Sequence, residues 1–489
     1  MGKLFSAIMA IVMTIMTAFG VNPATTLGRA KSVDLSNLKD LPNIAAQSQV
    51  LHNNSTEAVT TLSDNNGLTM LKLQKGDSIF MNFTNDVTFN TIVIEELSDK
   101  KGPSATKFEG GTKQFSIYAQ KNGQYELIYQ NDKIDEYRLC TFDTVTTKSI
   151  KIVFDDCRDN ATVKEISIYQ VGKTKTNFRV NDYFVANKDK NYSLDPEFIG
   201  YLKTVTDITL FGGVYIGKDG TIQFRDGNEE AFANQLKQIK TAIKLSGQDT
   251  KIYCNVFSSD EPASFFQDKT STIAKNISAF LVKYDLQGAD IDWEYPEAKE
   301  DWVAYNQLVL DIRKEFDTVG KKLSLAVAVW NVNFSKEAME AVDYYNVMLY
   351  DLSGDDFDSY HSSFRSTTGA IETMIKKGYN RDKICLGFPF YGREVPKYNP
   401  GCEATWPSYR GCGFETKWEN VQYKTDANGV KSPLYYFNGY AMIADKTAYA
   451  ISMSLGGVMT WHMESDLPAY KELSLHRAMN ETVKERVEK

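Results

Sequence analysis

The sequence predicts an α/β chain: a (β/α)8 barrel preceded by an all-β, jelly-roll-like sandwich. Three observations predict it. From about residue 177, short apolar runs alternate with amphipathic helical segments, the pattern of a parallel sheet with crossover helices. Eight strand candidates fit between there and the end of the chain, the number a closed barrel takes. Before residue 172 the runs are strand-length and separated by turns, with no helical period. The runner-up for the second part is an open doubly wound sheet. That fold calls for a Gly-rich phosphate loop after its first strand, and the sequence has none there.

In chain order, Lys3, the apolar run Ala7 to Phe19 and the small Gly20 read as a secretory signal over 1–20. The run is too short for a comfortable membrane span. Gly2 with Ser6 also fits an N-myristoylation pattern, which ranks second, and an uncleaved anchor ranks third. Residues 21–45 are polar and weakly patterned and read as a linker. Over 46–172, the runs Phe80–Phe83, Thr91–Ile94, Phe115–Tyr118, Tyr125–Ile128, Ile150–Phe154 and Ile166–Tyr169 read as short strands. Turns such as Lys121-Asn122-Gly123 separate them. The order of these pieces resembles the discoidin-like, galactose-binding-like sandwiches attached to many glycosidases. That resemblance implies a ligand held by loops at one end and a structural calcium, with a plain spacer domain as the alternative.

The barrel, 177–489, is expected from strands at Arg179–Val185, Asp207–Tyr215, Thr250–Val256, Gly288–Glu294, Leu323–Trp330, Tyr345–Tyr350, Ile384–Phe390 and Gly457–Trp461. Helices are expected at Glu229–Leu245, Ser271–Tyr284, Lys299–Phe316 and Thr367–Lys377, with a short insertion at about 394–455.

The chain is organised around Gly288-Ala289-Asp290-Ile291-Asp292-Trp293-Glu294-Tyr295-Pro296. On a strand, alternate side chains share a face, so Asp290, Asp292 and Glu294 line up at steps of roughly 6.6 Å. Such a row repels itself and costs desolvation, which packing alone does not justify. Its chemistry is acid catalysis, because close like charges drive their pKa values apart and keep one carboxyl protonated. In a parallel barrel Glu294 falls at the strand's C-terminal end, where substrate lies, and is the natural proton donor. The same rim collects Met348, Tyr350 and Asp351 after strand six, Tyr391 and Arg393 after strand seven, and Trp461 at the end of strand eight. Aromatics and polar groups converging there describe a sugar subsite.

The acid row resembles the signature of the family-18 glycoside hydrolases, the chitinase family, Asp-x-x-Asp-x-Asp-x-Glu. Its last three acids match at Asp290, Asp292 and Glu294, and Gln287 stands at the first. Met348-Leu349-Tyr350-Asp351, Gly387–Arg393 and Leu455–Trp461 resemble the family's sixth, seventh and eighth strands. The third strand departs: Cys254-Asn255-Val256-Phe257 stands where the family has Ser-x-Gly-Gly, and with Gln287 this implies a re-tuned acid network or a different substrate. The resemblance implies retaining, substrate-assisted cleavage of β-1,4-linked N-acetylglucosamine polymers. Glu294 acts as acid and base, Asp292 orients the substrate acetamide, and Asp290 shares a proton with Asp292. Tyr350 bonds the acetamide, Trp461 floors the ring, and Tyr391, Arg393, Asp351 and Met348 contact sugar. No cofactor is implied. The alternatives are an endo-β-N-acetylglucosaminidase on N-glycans and an inactive chitinase-like lectin.

A formal net charge of -8 argues against nucleic acid and anionic membrane and suits a neutral glycan as partner. The four histidines are scattered and no Cys-x-x-Cys occurs, so no zinc site is expected. Cys402 with Cys412, and Cys140 with Cys157, are the candidate disulfides; Cys254 and Cys385 read as buried thiols. Sequons such as those at Asn54, Asn160 and Asn480 fit a secreted glycoprotein.

Overall fold

The computed structural model describes residues 35, 38–53, 55–59, 62–64, 69–101, 107–187, 189–256, 268–330, 332–352, 361–394 and 407–488. The predicted signal segment, most of the predicted linker, Phe257 and Cys402 lie outside the described residues. The chain divides into two compact units, 1–99 with 109–171, and 100–108 with 172–489. No helix among the described residues is long and apolar enough to cross a membrane.

The first unit is antiparallel β structure. Two long strands, Ser78–Glu96 and Tyr137–Cys157, pair from Ser78↔Val153 to Glu95↔Tyr137, with register shifts between Asn82 and Val87 and between Phe89 and Thr91. Ser78–Glu96 pairs on its other side first with Ser48–His52 and then with Thr162–Tyr169. It therefore contains two of the predicted strands as one irregular strand. The Thr112–Lys121/Gln124–Asp132 hairpin turns on Asn122 and Gly123, both at positive φ (50° and 83°). That is the two-residue turn whose backbone twist matches paired strands, and Asn-Gly accepts it at little cost. Ile150 and Ile152 are fully buried with Lys151 half-buried between them, a period-2 face, whereas Ile92–Ile94 and Phe115–Ile117 are buried throughout. At the end of the predicted linker, Asn43 bonds Ser167 Oγ and the Ile168 amide, tying that segment to the sheet. Cys140 and Cys157 lie on the same strand, 17 residues apart, and form no disulfide, which corrects the disulfide expectation. At about 3.3 Å per residue they are far beyond bridging reach.

The second unit holds a closed barrel of eight parallel strands: β1 (Arg179–Phe184), β2 (Asp207–Leu210), β3 (Lys251–Asn255), β4 (Gly288–Asp292), β5 (Lys322–Ala328), β6 (Tyr344–Met348), β7 (Ile384–Pro389) and β8 (Gly457–Trp461). Closure rules out the open sheet. Helices α1 (Pro196–Leu202), α2 (Glu229–Ser246), α3 (Thr270–Lys283), α4 (Lys299–Val319), α5 (Lys336–Ala341), α6 (Phe364–Lys376), α7 (Tyr440–Ser452) and α8 (Leu475–Arg486) follow the strands in turn. Side-chain oxygens of Asp195, Ser335, Ser363 and Ser474 accept from first-turn amides of α1, α5, α6 and α8, so those helices start where the sequence offers a cap. Gly247 and Gly320 end α2 and α4 in the left-handed conformation. The seam between β8 and β1 closes on Gly457, where a Cβ would lie 2.1 Å from the Arg179 carbonyl oxygen.

Two expectations shift. The second strand stops at Leu210, because Gly212 turns at φ 75° into a separate hairpin of Val214–Ile216 with Ile222–Phe224. Glu294 lies just beyond the end of β4 rather than within it.

A clasp ties α8 to the barrel. His476 is fully buried, with Nε2 2.5 Å from Asp182 on β1 and Nδ1 2.6 Å from Asp466. Asp466 also accepts from Ser474 Oγ and the Leu475 and His476 amides, and Thr460 on β8 donates to Asp182. Burial opposes a charged ring, but the two carboxylates win and push His476 up to about 9.

Candidate active site

Asp290 sits inside the barrel, fully buried, and accepts four hydrogen bonds. Tyr183 Oη (2.7 Å) and Asn255 Nδ2 (3.2 Å) donate to Oδ2, and Ser324 Oγ (2.7 Å) and Asn346 Nδ2 (2.9 Å) donate to Oδ1. The donors come from β1, β3, β5 and β6, whose inward positions meet Asp290 at one level. An ionised carboxylate has about four acceptor positions, and here all are filled. No hydrogen bond joins Asp290 to Asp292; the two interact through charge. The oxygens of Asp290 are taken by these four donors, and Asp292 is none of them. The sequence departures also find a place. Asn255, on the altered third strand, supplies one of the four donors. Gln287 lies at the entrance of β4, half-buried, and is none of them.

One step up, Asp292 and Glu294 border a cavity of about 290 Å³. Asp292 hydrogen-bonds Glu294, while its Oδ1 is enclosed with no partner among the described residues. Desolvation, then the charge of Glu294 and that of Asp290, pushes the Asp292 carboxyl well above the usual carboxylate range. The two acids thus differ as close acids must: Asp290 is met by four donors, whereas Asp292, with an unmet oxygen and a second acid against it, is pushed toward its protonated form.

The floor is Trp461 at the end of β8, ringed by Tyr183 (centroids 5.6 Å apart) and by Phe211 edge-on (4.7 Å). Met348 and Tyr350 line one side, and burial raises Tyr350 well above its ordinary value, keeping its hydroxyl a donor. Asp351 also lines the cavity, at φ 56°, a left-handed geometry that Asp tolerates better than most. It accepts from Tyr391 Oη (2.9 Å) and Arg393 Nε (2.6 Å), and lies 3.3 Å from His361 Nδ1. Burial works against its charge, but His361 and then Arg393 hold it below the usual range.

The cavity therefore gathers Asp292, Glu294, Met348, Tyr350, Asp351, Tyr391 and Trp461 from the predicted set. Asp290 lies a layer deeper, and Arg393 is held on Asp351 rather than lining the space. The sequence reading missed Tyr183 and Trp330. Both stand near the C-terminal ends of strands, so the rule that found Tyr350 and Trp461 could have found them. Trp330 is 52 % exposed and packs edge-on to Tyr295 at 5.7 Å on the wall beside Glu294. It missed His361 as well, a lone histidine in a loop without a local signal. The described residues contain no cluster of His, Cys, Asp and Glu able to hold a metal.

The family model "Glycosyl hydrolases family 18" matches residues 165–466. Among similar proteins, "Probable chitinase 2" of Drosophila melanogaster is 25% identical over 244 residues, covering 39% of this chain and 50% of that protein. "Endochitinase 1" of Metarhizium anisopliae is 27% identical over 277 residues, covering 47% and 62%. The chain thus spans half to under two thirds of these relatives' length. A crystal structure of a chitinase from Bacteroides thetaiotaomicron is 20% identical, with a TM-score of 0.50, covering 63% of this chain and 97% of that one, a likeness of fold. The match extends across more than half of the sequence and over the whole acid row: this chain belongs to glycosyl hydrolases family 18.

Proposed function

We propose that this chain is a glycosidase that cleaves β-1,4 bonds of N-acetylglucosamine polymers, a chitinase, with retention of configuration and help from the substrate's own 2-acetamido group. The observation that carries the reading is the Asp292–Glu294 pair, bonded to each other above a saturated Asp290 and beside an indole floor. A retaining enzyme with a carboxylate nucleophile keeps two carboxyls about 5–5.5 Å apart across the scissile bond. Here the two acids are hydrogen-bonded to each other, which supports a nucleophile supplied by the substrate.

The pair carries one proton. With sugar bound, the proton sits on Glu294, which delivers it to the leaving glycosidic oxygen. The acetamide oxygen attacks the anomeric carbon, and ionised Asp292 takes the acetamide N–H and faces the positive charge that forms. Tyr350 donates to the acetamide oxygen, and Trp461 supports the distorted ring. Glu294, now a carboxylate, takes a proton from the water that opens the cyclic intermediate. Asp290 is a fixed negative charge beneath the pair. Asp351, Tyr391, Arg393 and Met348 hold the flanking sugar. The signal-like start and the negative net charge support secretion and a neutral glycan partner. The antiparallel first unit supports a discoidin-like, carbohydrate-binding role.

The test is hydrolysis of a chromogenic chito-oligosaccharide by wild type and by Glu294→Gln, with an N-glycan alongside. Cleavage of the chito-oligosaccharide that collapses in Glu294→Gln supports the reading. Cleavage of the N-glycan alone moves the substrate to glycoprotein cores. Binding without cleavage of either from pH 4 to 8 overturns the enzyme in favour of a lectin.

A further inference from the structure

Arg179, at the start of β1, is 4 % exposed in the barrel floor. Its guanidinium lies between the rings of Tyr253 and Tyr344, 4.5 Å from each. Nε donates to Asp207 Oδ2 at 3.0 Å, and Nη1 donates to Asn346 Oδ1 at 3.3 Å. Asn346 is fully buried and passes the contact on, its Nδ2 donating to Asp290 Oδ1 at 2.9 Å and to Tyr183 Oη at 3.3 Å. Arginine can only donate and an ionised carboxylate can only accept. An amide placed between them is oriented from both ends, oxygen to the cation and nitrogen to the anion. The ion pair with Asp207 does not require this second branch.

We infer that Arg179 is a positioning residue for the reaction: through Asn346 it aligns a donor on Asp290 and places a buried positive charge beneath the Asp292–Glu294 pair. The inference rests on the hydrolytic reading of the site. Its physical content is one buried positive charge two hydrogen bonds from Asp290, in a medium where charges are weakly screened. The other titratable groups around Asp290 are Tyr183, Asp292, Tyr305, Cys254 and Cys385. Those around Arg179 are Asp207, Tyr253, Tyr344 and Cys385. All except Asp207, Asp290 and Asp292 are thiols or phenols that burial keeps neutral; Tyr344 also faces the exposed Lys322 and Tyr253 faces Asp343, so Arg179 is the buried cation of this cluster among the described residues.

The experiment is the pH profile of kcat and KM on a chito-oligosaccharide for wild type, Arg179→Gln, Arg179→Lys and Asp207→Asn, with Tm measured for each. Removing the cation weakens the ionised cluster, so Arg179→Gln is expected to move the acid limb up by about one pH unit and lower kcat about 10-fold, with KM within about threefold. Arg179→Lys keeps the charge and is expected to keep the limb. Asp207→Asn removes an anion and is expected to move it down. If Arg179→Gln does not fold, the other two variants decide. Loss of activity with no movement of the limb, or movement of both Gln and Asn variants in the same direction, overturns the inference and leaves Arg179 a structural plug. A wild type without hydrolysis defeats the activity reading instead. The same shifts are then read from the pH dependence of binding of an uncleavable thio-linked chito-oligosaccharide.

Discussion

Asp290 and Asp292 are alternate residues of one strand, on one face, with opposite electrostatic fates. Asp290 lies in a layer where four neighbouring strands each present a donor. Asp292 lies one layer higher, where its Oδ1 has no partner among the described residues and its neighbour is another acid. The difference teaches that the proton in this row is assigned by the count of donors around each carboxyl rather than by the spacing of the acids. The charge of Asp290 below adds to the cost of ionising the acid above, after burial and the charge of Glu294.

The largest expected effect comes from removing the proton donor. Glu294→Gln should lower kcat by about 10³–10⁴-fold while the protein folds normally, as checked by hydrolysis rates and circular dichroism. Asp292→Asn breaks the upper half of the comparison. It should cost about 10²–10³-fold in kcat and yet raise Tm. The sign follows from the raised carboxyl of Asp292: a buried acid held protonated contributes stability below its unfolded pKa and loses it as pH rises through its folded value, so at neutral pH it is a burden. A wild-type Tm that is not exceeded by Asp292→Asn at pH 7 counts against a protonated Asp292.

Breaking the lower half should be gentler. Ser324→Ala and Asn255→Ala each remove one of four donors from Asp290 and are expected to lower kcat by about 10-fold, with the acid limb of the pH profile moving up. The clasp at the barrel seam should act on stability alone. His476 is raised to about 9, so its contribution is fully present below the unfolded value of about 6.5 and is lost as pH climbs through 9. Thermal melts of wild type should therefore fall over that window, and His476→Gln should flatten the fall with little change in KM. The smallest effect should be that of Gln287→Asp. Restoring the family's first acid at the strand entrance should change kcat by less than about twofold, because Gln287 is none of Asp290's donors.

Much of the barrel was legible because its signals are local. Strand and helix periods act over a few residues, as does the Lys121-Asn122-Gly123 turn of the first unit. The rim residues were legible by one rule, that chemistry gathers at the strands' C-terminal ends, and this reached Tyr350, Tyr391 and Trp461. It broke where the chain bends: Gly212 cut the second strand short, and a single irregular strand absorbed two predicted ones.

What the sequence by itself determined is the row of acids, the alternation that puts them on one face, and the eight strand-and-helix units, because each is set by the chemistry of neighbouring residues. What only the tertiary structure decided is which acid keeps its proton, and whether Asn255 and Gln287 bear on it. Asp290's donors lie 34 to 107 residues away along the chain, on four different strands. Closure of the barrel brings them to one level, and a carboxyl's charge depends on what stands within hydrogen-bonding reach rather than on what adjoins it in sequence.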